Sequence, residues 1–433
     1  INIHKNVFNR EDNDPRIYAV SSKGDNNKTI LSKGVFTSCQ VRDGCSPWSI
    51  KSEEIIHDKE KKQLSYKNAI LNIYDVPVFY FPKFFHPDPS VVRQSGLLMP
   101  SLNESNVLGS SITQPYFWKI SDNKDYTISP TWSDNGHFII QNEYRQANEN
   151  SNFLADFGYV NNYESNTSKE RNNLSHFFLN YDLDLNLNNY MVSNLYLSTE
   201  QVSNDTYLRV FDDHITKSNA RPGDLSVMKS QAKLSLTHKD YNFDAGFLTY
   251  EDLDVANDSD RYQYVLPYYN FDTVLNETYF NGSINLSSSG SSNLKNTNNL
   301  KSNIVNNLNY NSNNYISNLG INNNFNLQIK NLNTLAKNNS EYKSSPQVEL
   351  ISIFKANTSL PLIKKEQNYD NFLTPKLSLR INPSDMKNYS NSSKSIDVGN
   401  IFTLNRLGLE DSFESGKSLT IGLDYRKEKK EVN

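Results

Sequence analysis

The sequence lacks a long hydrophobic run, and this absence excludes one class of membrane protein. Its longest apolar candidate reads VPVFYFPKFF, which is short and interrupted by proline. A membrane helix requires roughly 18 or more consecutive apolar residues. A helical membrane protein is therefore excluded.

Catalytic and nucleic-acid-binding signatures are also missing. The seven histidines are scattered, and the sequence contains neither HExxH nor GxSxG. The net charge of −4 provides no basic field for nucleic acid. We therefore predict a protein that is not an enzyme, has no cofactor or metal site and does not bind nucleic acid. The acidic stretch at 251–260 is interpreted as a solvated loop, with a Ca²⁺ site as the alternative.

Cysteine is scarce, and the two that occur are close neighbours, Cys39 and Cys45, in FTSCQVRDGCSPW. Gly44 lies between them, and no further Cys or His stands at zinc-binding spacing. We interpret the pair as a local disulfide that closes a tight loop, which indicates an oxidising compartment such as the periplasm. Two reduced, buried thiols are the alternative, and either cysteine could also pair with a cysteine outside this sequence.

Aliphatic residues are few, but aromatic residues are plentiful. Only 36% of the 433 residues are hydrophobic, yet the chain has 26 Tyr and 22 Phe, which does not fit a disordered chain. A transmembrane β-barrel has this composition, because only every second strand residue faces lipid, the lumen is polar and aromatic girdles mark both interfaces.

A strict period of two supports that interpretation. The stretch LNYDLDLNLNNY at 179–190 alternates Leu and Tyr with Asn and Asp, which a helix would not tolerate. Similar patterns occur in FLADFGYV, YNFDAGF, NFNLQIK and PKLSLRI, and about fifteen such segments follow Ser110. Short Asn, Ser, Asp and Gly turns separate them, together with a few longer polar loops such as 201–224 and 251–261. The chain is predicted to be nearly all β.

The first 90 residues have a different pattern. Their strands are shorter and richer in Lys and Glu, as in a soluble β-domain. The proline-dense passage VPVFYFPKFFHPDPSVVRQSGLLMPS follows and forbids a long ladder, so we place a domain boundary there. Beyond it, TQPYFWKISDNKDYTISPTW at 113–132 reads as a hairpin with one proline in each arm, Pro115 and Pro130. Proline lacks the N–H that a strand ladder needs.

These two passages carry a family resemblance. PVFYFPKFFHPDPSVVRQSGLLMPS resembles the junction between the periplasmic β-jellyroll and the barrel in the LPS-assembly outer-membrane protein family LptD, also called organic solvent tolerance protein. TQPYFWKISDNKDYTISPTW resembles the first barrel hairpin of that family, including its two prolines. RYQYVLPYYNFD at 261–272 and NIFTLNRLGLEDSFESGKSLTIGLDY at 400–425 resemble later barrel segments.

The resemblance implies an all-β fold in which the C-terminal part of a jellyroll is followed by a partial antiparallel barrel of about 15 to 16 strands. The expected domains are the jellyroll at 1–90, a proline-rich junction at 91–109 and the barrel at 110–433. Since the family barrel has about twenty-six strands, the chain is expected to be a fragment. The junction residues are Pro82, Pro87, Arg93, Ser95 and Gly96.

The implied function is transport of lipopolysaccharide and its insertion into the outer leaflet of the outer membrane. The implied partners are an LptE-like lipoprotein plug and an LptA-like periplasmic bridge protein, and the N-terminal domain would lie in the periplasm. Pro115 and Pro130 would weaken the lateral gate where the first strand meets the last. The alternative for these prolines is that they only end short strands near a rim.

Two other functions remain open at this point. A passive outer-membrane porin or saccharide channel would also have polar inner faces, and its aromatic residues could stack on sugars. A porin, however, needs no soluble β-domain before its barrel. A non-membrane adhesin or secreted β-protein is the third possibility, and it would not require detergent.

Overall fold

The computed structural model describes residues 16–37, 47–88, 91, 93–106, 108–163, 173–212, 214–215, 218–256, 260–277, 281–389 and 395–429. Over these ranges the chain forms 28 strands and one helix of four residues, so the all-β prediction is confirmed. No helix in the described ranges is long and apolar enough to cross a membrane. The described residues also contain no group of three or more His, Cys, Asp or Glu side chains that could hold a metal ion.

The chain divides into two compact units, Ile1–Gly136 and His137–Asn433. The domain limits that we expect at residues 90 and 109 stay predictions.

The first unit begins with an antiparallel sheet of six strands. The strand order is β1-β3-β4-β5-β6. β2 pairs with the first half of β3, and β1 pairs with its last three residues, along the edge opposite β4. The strands are β1 (Arg16–Tyr18), β2 (Ser21–Gly24), β3 (Lys28–Thr37), β4 (Trp48–Asp58), β5 (Gln63–Ile73) and β6 (Val76–Pro87).

One face of this sheet carries its core, because alternate residues of β3, β4 and β5 are apolar. The buried core residues are Ile17, Leu31, Phe36, Ile50, Ile55, Leu64, Tyr66 and Ala69. The Tyr66 hydroxyl and His86 Nε2 share a hydrogen bond of 2.6 Å at the edge of this core. Burial lowers the pKa of the His86 imidazole, although the main-chain carbonyl of Pro87 opposes the shift.

Five further strands complete the first unit. They are β7 (Gly96–Leu97), β8 (Ser101–Ser105), β9 (Gly109–Thr113), β10 (Tyr116–Ser121) and β11 (Lys124–Ser133). β11 pairs with β10 along its first half and with β9 along its second half. β7 pairs with β10, and β8 pairs with β9.

The second unit is an antiparallel meander in which most strands pair with the next strand in the chain. Its strands are β12 (Phe138–Ala147), β13 (Ser151–Asn161), β14 (Leu174–Asp184), β15 (Tyr190–Val202), β16 (Val227–His238), β17 (Tyr241–Asp252), β18 (Tyr262–Glu277), β19 (Gly282–Lys295), β20 (Asn299–Ser312), β21 (Tyr315–Ile316), β22 (Asn322–Lys337), β23 (Gln347–Ser359), β24 (Leu362–Lys365), β25 (Tyr369–Asn382), β26 (Lys387–Asn388), β27 (Ser412–Phe413) and β28 (Gly416–Lys429). The helix α1 (Tyr207–Val210) lies between β15 and β16.

The strand registers give this meander two different faces. Tyr144, Ala155 and Phe157 share one side with Phe177, because the cross-strand partners match along β12, β13 and β14. We call this side the aromatic face. The opposite side, the polar face, carries Asp156, His176 and Asn180 on β13 and β14. The strand pairings from β14 to β25, which include register shifts at three of the pairs, extend this face to Lys330, Lys355 and Arg380. The alternation of apolar and polar residues along the strands therefore gives the sheet one aromatic and one polar face.

Candidate functional site

The two prolines of the predicted hairpin lie at the same break in its ladder. Gln114 and Pro115 interrupt the first arm between β9 and β10, while Pro130 lies inside β11. On one side of the break Tyr116 is opposite Ile128, and on the other side Thr113 is opposite Thr131.

Pro130 removes one hydrogen bond from the hairpin itself. The backbone N–H of Gln114 donates to the Pro130 carbonyl at 3.0 Å. A hydrogen-bonded antiparallel pair normally exchanges two such bonds, but Pro130 has no N–H to return. The side chains of Thr113 and Thr131 share a hydroxyl hydrogen bond of 2.7 Å beside this gap.

Pro115 removes a bond on the other edge of the same arm. The N–H of Leu98 donates to the Pro115 carbonyl at 2.9 Å, and the return donor is again missing. The side-chain amide of Gln114 replaces it, because Nε2 donates to the Leu98 carbonyl at 2.9 Å. Gln114 is thus a residue of this site that the sequence did not reveal.

Residues 93–98, which we call the strap, lie along β10. Gly96 is the cross-strand partner of Phe117, and the Lys119 N–H donates to Ser95 Oγ at 2.9 Å. The strap and β8 together pair with the edge of β9 and β10 that faces away from β11.

Arg93 attaches the start of the strap to the hairpin turn. Its guanidinium forms an ion pair with Asp125, which is 3% exposed. Nη1 also donates to the Asp122 carbonyl at 3.2 Å, and the guanidinium carbon lies 5.8 Å from the centre of the Phe117 ring. A cation that pairs with a buried carboxylate and covers an aromatic ring is a firm attachment point.

The predicted junction residues therefore fall into two groups. Arg93, Ser95 and Gly96 lie against the hairpin, whereas Pro82 and Pro87 belong to β6 of the first sheet. Among the described residues β6 pairs only with β5, so it is an edge strand there, which is where a strand tolerates proline. The predicted disulfide between Cys39 and Cys45 lies outside the described residues.

A first covering segment, the described part of residues 203–226, folds onto the polar face. It contains α1, and its side chains Tyr207, Leu208 and Phe211 are fully buried. His176 on β14 shares a hydrogen bond of 2.8 Å with the Tyr207 hydroxyl and contacts Asp156 at 3.2 Å. Ser218 Oγ donates to the other oxygen of Asp156 at 2.6 Å.

Gly158 permits this arrangement. It is the cross-strand partner of His176. A Cβ at position 158 would lie 2.2 Å from the imidazole ring, so any larger residue would displace His176. The polar loop expected at 201–224 is therefore a packed element.

A second covering segment, residues 395–415, lies on the same face over β22, β23 and β25. Lys330 Nζ donates to the Glu410 carbonyl at 2.6 Å, and Lys355 Nζ donates to the Phe402 carbonyl at 2.6 Å. Arg380 donates to the carbonyls of Leu404 and Glu414, at 2.9 and 3.0 Å.

This segment also has an apolar anchor. Phe413 packs in a buried cluster with Val305, Leu332, Ile351 and Ile353. The four other residues of this cluster lie on the polar face, so this face is locally apolar where the segment covers it.

The acidic stretch at 251–260 is engaged by arginines. Arg261 contacts Glu251 at 3.0 Å and Asp205 at 2.8 Å. Asp254 pairs with Arg209 of α1.

Part of the chain is similar to known proteins. The LptD protein family model matches residues 66–233, which include the strap and the hairpin. The LPS-assembly protein LptD of Yersinia enterocolitica is 38% identical over 123 residues, which is 28% of this chain and 15% of that protein. Its Escherichia coli K12 counterpart is 33% identical over 142 residues, 33% of this chain and 18% of that protein.

Over residues 66–233 the chain matches the LptD family. Its matched part spans less than a fifth of the length of these curated LptD relatives. Among solved structures, the translocation pore of the P pilus usher PapC covers 84% of the chain at 8% identity with a TM-score of 0.32, a similarity too low to indicate a shared fold.

Proposed function

We propose that this LptD-family chain takes part in transporting lipopolysaccharide and inserting it into the outer leaflet of the outer membrane. The observation that supports this proposal most directly is the family match across residues 66–233. The similar proteins of Yersinia enterocolitica and Escherichia coli K12 are named LPS-assembly proteins. Transport of this kind makes and breaks no covalent bond.

In this proposal the first sheet is part of a periplasmic jellyroll that receives the acyl chains. Edge strand β6 fits such a role, because its exposed side chains are strongly apolar. They include Val76, Val78, Phe79, Tyr80 and Phe85. The polar face of the meander would line a transmembrane barrel and accept the sugar part of the lipid, while the acyl chains leave sideways into the membrane. An LptE-like plug and an LptA-like bridge protein are the partners.

The prolines would lower the cost of a lateral opening at the start of the barrel. Pro130 leaves one hairpin bond unmade, and Pro115 leaves one strap bond that only the Gln114 side chain replaces. Each missing ladder bond is worth about 0.5–1.5 kcal/mol. Hairpin and strap can therefore separate more easily than an unbroken ladder.

The test replaces both prolines by alanine in the full-length protein. Restored N–H groups should strengthen the ladder by about 1–3 kcal/mol in total, so delivery of lipopolysaccharide to the cell surface should slow at normal barrel abundance. Sensitivity to large antibiotics should rise accordingly.

The matched control is Pro375→Ala in β25, where Pro375 is opposite Leu423. It should leave delivery unchanged. Equal delivery by the double variant and the native protein at equal abundance would show that the prolines have no gating role. Equal impairment by the control would show the same.

A further inference from the structure

Two basic residues face each other on neighbouring strands beneath the second covering segment. Lys355 of β23 and Arg380 of β25 are cross-strand partners on the polar face. Like charges in directly opposite positions destabilise an antiparallel pair. Lys355 is 8% exposed and Arg380 is 3% exposed, so bulk water does little to screen one from the other. Such a pair requires acceptors that compensate for its charge.

The hydrogen-bond acceptors of Lys355 and Arg380 are mainly neutral. Lys355 donates to the main-chain carbonyl of Phe402, and Arg380 donates to two further main-chain carbonyls of the same segment. A carbonyl dipole satisfies a donor, but it carries no full negative charge. Arg380 Nη1 is buried and has no hydrogen-bond partner.

The local charges do not balance. Arg406 of the covering segment adds a third cation, and Glu414 forms a two-point ion pair with it at 2.8 and 2.6 Å. Glu414 Oε2 also lies 4.0 Å from Arg380 Nη1. Within the described part of the chain, Glu414 is the only carboxylate within 4.0 Å of Lys355 or Arg380. Arg380 and Arg406 therefore share one carboxylate, and Lys355 has none within 4.0 Å among the described residues.

Such a charge excess fits a multiply charged anion. A guanidinium binds phosphate through parallel hydrogen bonds, and a lysine ammonium adds a point charge. We propose that Lys355 and Arg380 form a binding site for the phosphate groups of a phosphorylated glycolipid, and that residues 395–415 cover this site until such a group displaces them. The inference rests on the proposed function and names a subsite for its substrate.

The covering segment competes for this site with its own oxygens. Its carbonyls occupy the donors that a phosphate would use, and the Glu414 carboxylate supplies the single negative charge. Removal of that charge should therefore favour the phosphate, whereas removal of the strand cations should oppose it.

The test is titration of the full chain in detergent with inorganic pyrophosphate, followed by isothermal titration calorimetry. The double variant Lys355→Gln with Arg380→Gln should bind about tenfold or more weakly, since it loses charge-assisted hydrogen bonds. Glu414→Gln should bind roughly threefold to tenfold more tightly, because one competing charge is gone. Lys376→Gln, which removes a β25 lysine that pairs with Asp424, should leave the affinity unchanged.

Opposite effects of the two variants are decisive. If the cations only hold the covering segment, Glu414→Gln brings no gain, and that result overturns the proposal. Unchanged affinity in the double glutamine variant overturns it as well. Loss of folding cannot produce the expected gain in Glu414→Gln.

Failure of the proposed function would look different. In that case the native full-length protein would not deliver lipopolysaccharide to the cell surface, whereas pyrophosphate binding would follow the pattern above.

Discussion

The two covering segments lie on the same polar face but are held there by different chemistry. The first is fastened by side chains, since His176, Asp156 and Ser218 form a buried network with Tyr207. The second is fastened over the strand cations by its backbone, because Lys330, Lys355 and Arg380 donate to its carbonyls. Its end near β28 is anchored separately by the buried Phe413 and by the hydrogen bond from the Tyr342 hydroxyl to Asp411.

This difference has a physical consequence. A network of side chains needs each partner in place, and one missing member leaves a buried polar group without a partner. A cation that binds a carbonyl accepts any other oxygen of suitable position. We therefore expect the first segment to be a fixed part of the fold and the second to be exchangeable.

The largest expected effect is at Phe211 of the first segment. Its side chain is fully buried and packs against the rings of Tyr163 and Tyr207, at 5.2 and 5.4 Å between ring centres. Phe211→Ala should lower the opening free energy of residues 203–226 by about 3–5 kcal/mol. Native-state hydrogen exchange in detergent micelles measures this quantity.

The matched control for that variant is Phe247→Ala, which truncates a phenylalanine that is 52% exposed on β17. It should not change the exchange of residues 203–226. Slow exchange in Phe211→Ala would mean that the polar network alone holds the segment.

An intermediate effect is expected at Asp156. Asp156→Ala leaves both His176 and Ser218 without their shared acceptor, at about 1–3 kcal/mol for each unsatisfied group. Residues 203–226 should then be cleaved more readily by a protease, whereas residues 395–415 should not. Asp182→Ala is the control, because Asp182 accepts hydrogen bonds from Asn194 of the neighbouring strand. Equal cleavage of both segments would contradict separate fastening.

The all-β fold class could be predicted from sequence, because the alternation that indicates a strand is a local pattern. Leu179, Tyr181 and Leu183 alternate with polar residues in a run that needs no distant partner to be recognised. The proline hairpin was also visible, since its two arms flank a short polar turn. The role of Gln114, whose side chain supplies the donor that Pro115 lacks, could not be predicted, because it depends on how closely Leu98 approaches.

The covering segments could not be predicted because their burial depends on distant contacts. Tyr207 and Phe211 occur in a stretch that reads as a polar loop, and His176, the hydrogen-bond partner of Tyr207 on β14, lies about thirty residues earlier. A usable signal existed in the strands themselves. Lys355 and Arg380 are cations within otherwise apolar and small residues, in ISIFKA and LSLRI. Basic residues at such positions indicate something that covers them.

The smallest expected effect is at Lys355. Lys355→Met removes the hydrogen bond to the Phe402 carbonyl, but it also removes the repulsion between Lys355 and Arg380. The two changes oppose each other, so the opening free energy of residues 395–415 should change by no more than about 1 kcal/mol. Hydrogen exchange of these residues in detergent micelles provides the measurement.

Lys355→Met and Asp156→Ala can be compared directly, because each variant removes one polar side chain under a covering segment. Lys376→Met is the matched control, since Lys376 lies on the same face and pairs with Asp424. Suppose that Lys355→Met opens residues 395–415 by as much as Asp156→Ala opens residues 203–226. The carbonyl contacts would then be as specific as the side-chain network. The second segment would not be exchangeable, because the Lys355 ammonium would contribute more through the Phe402 carbonyl than it costs beside Arg380.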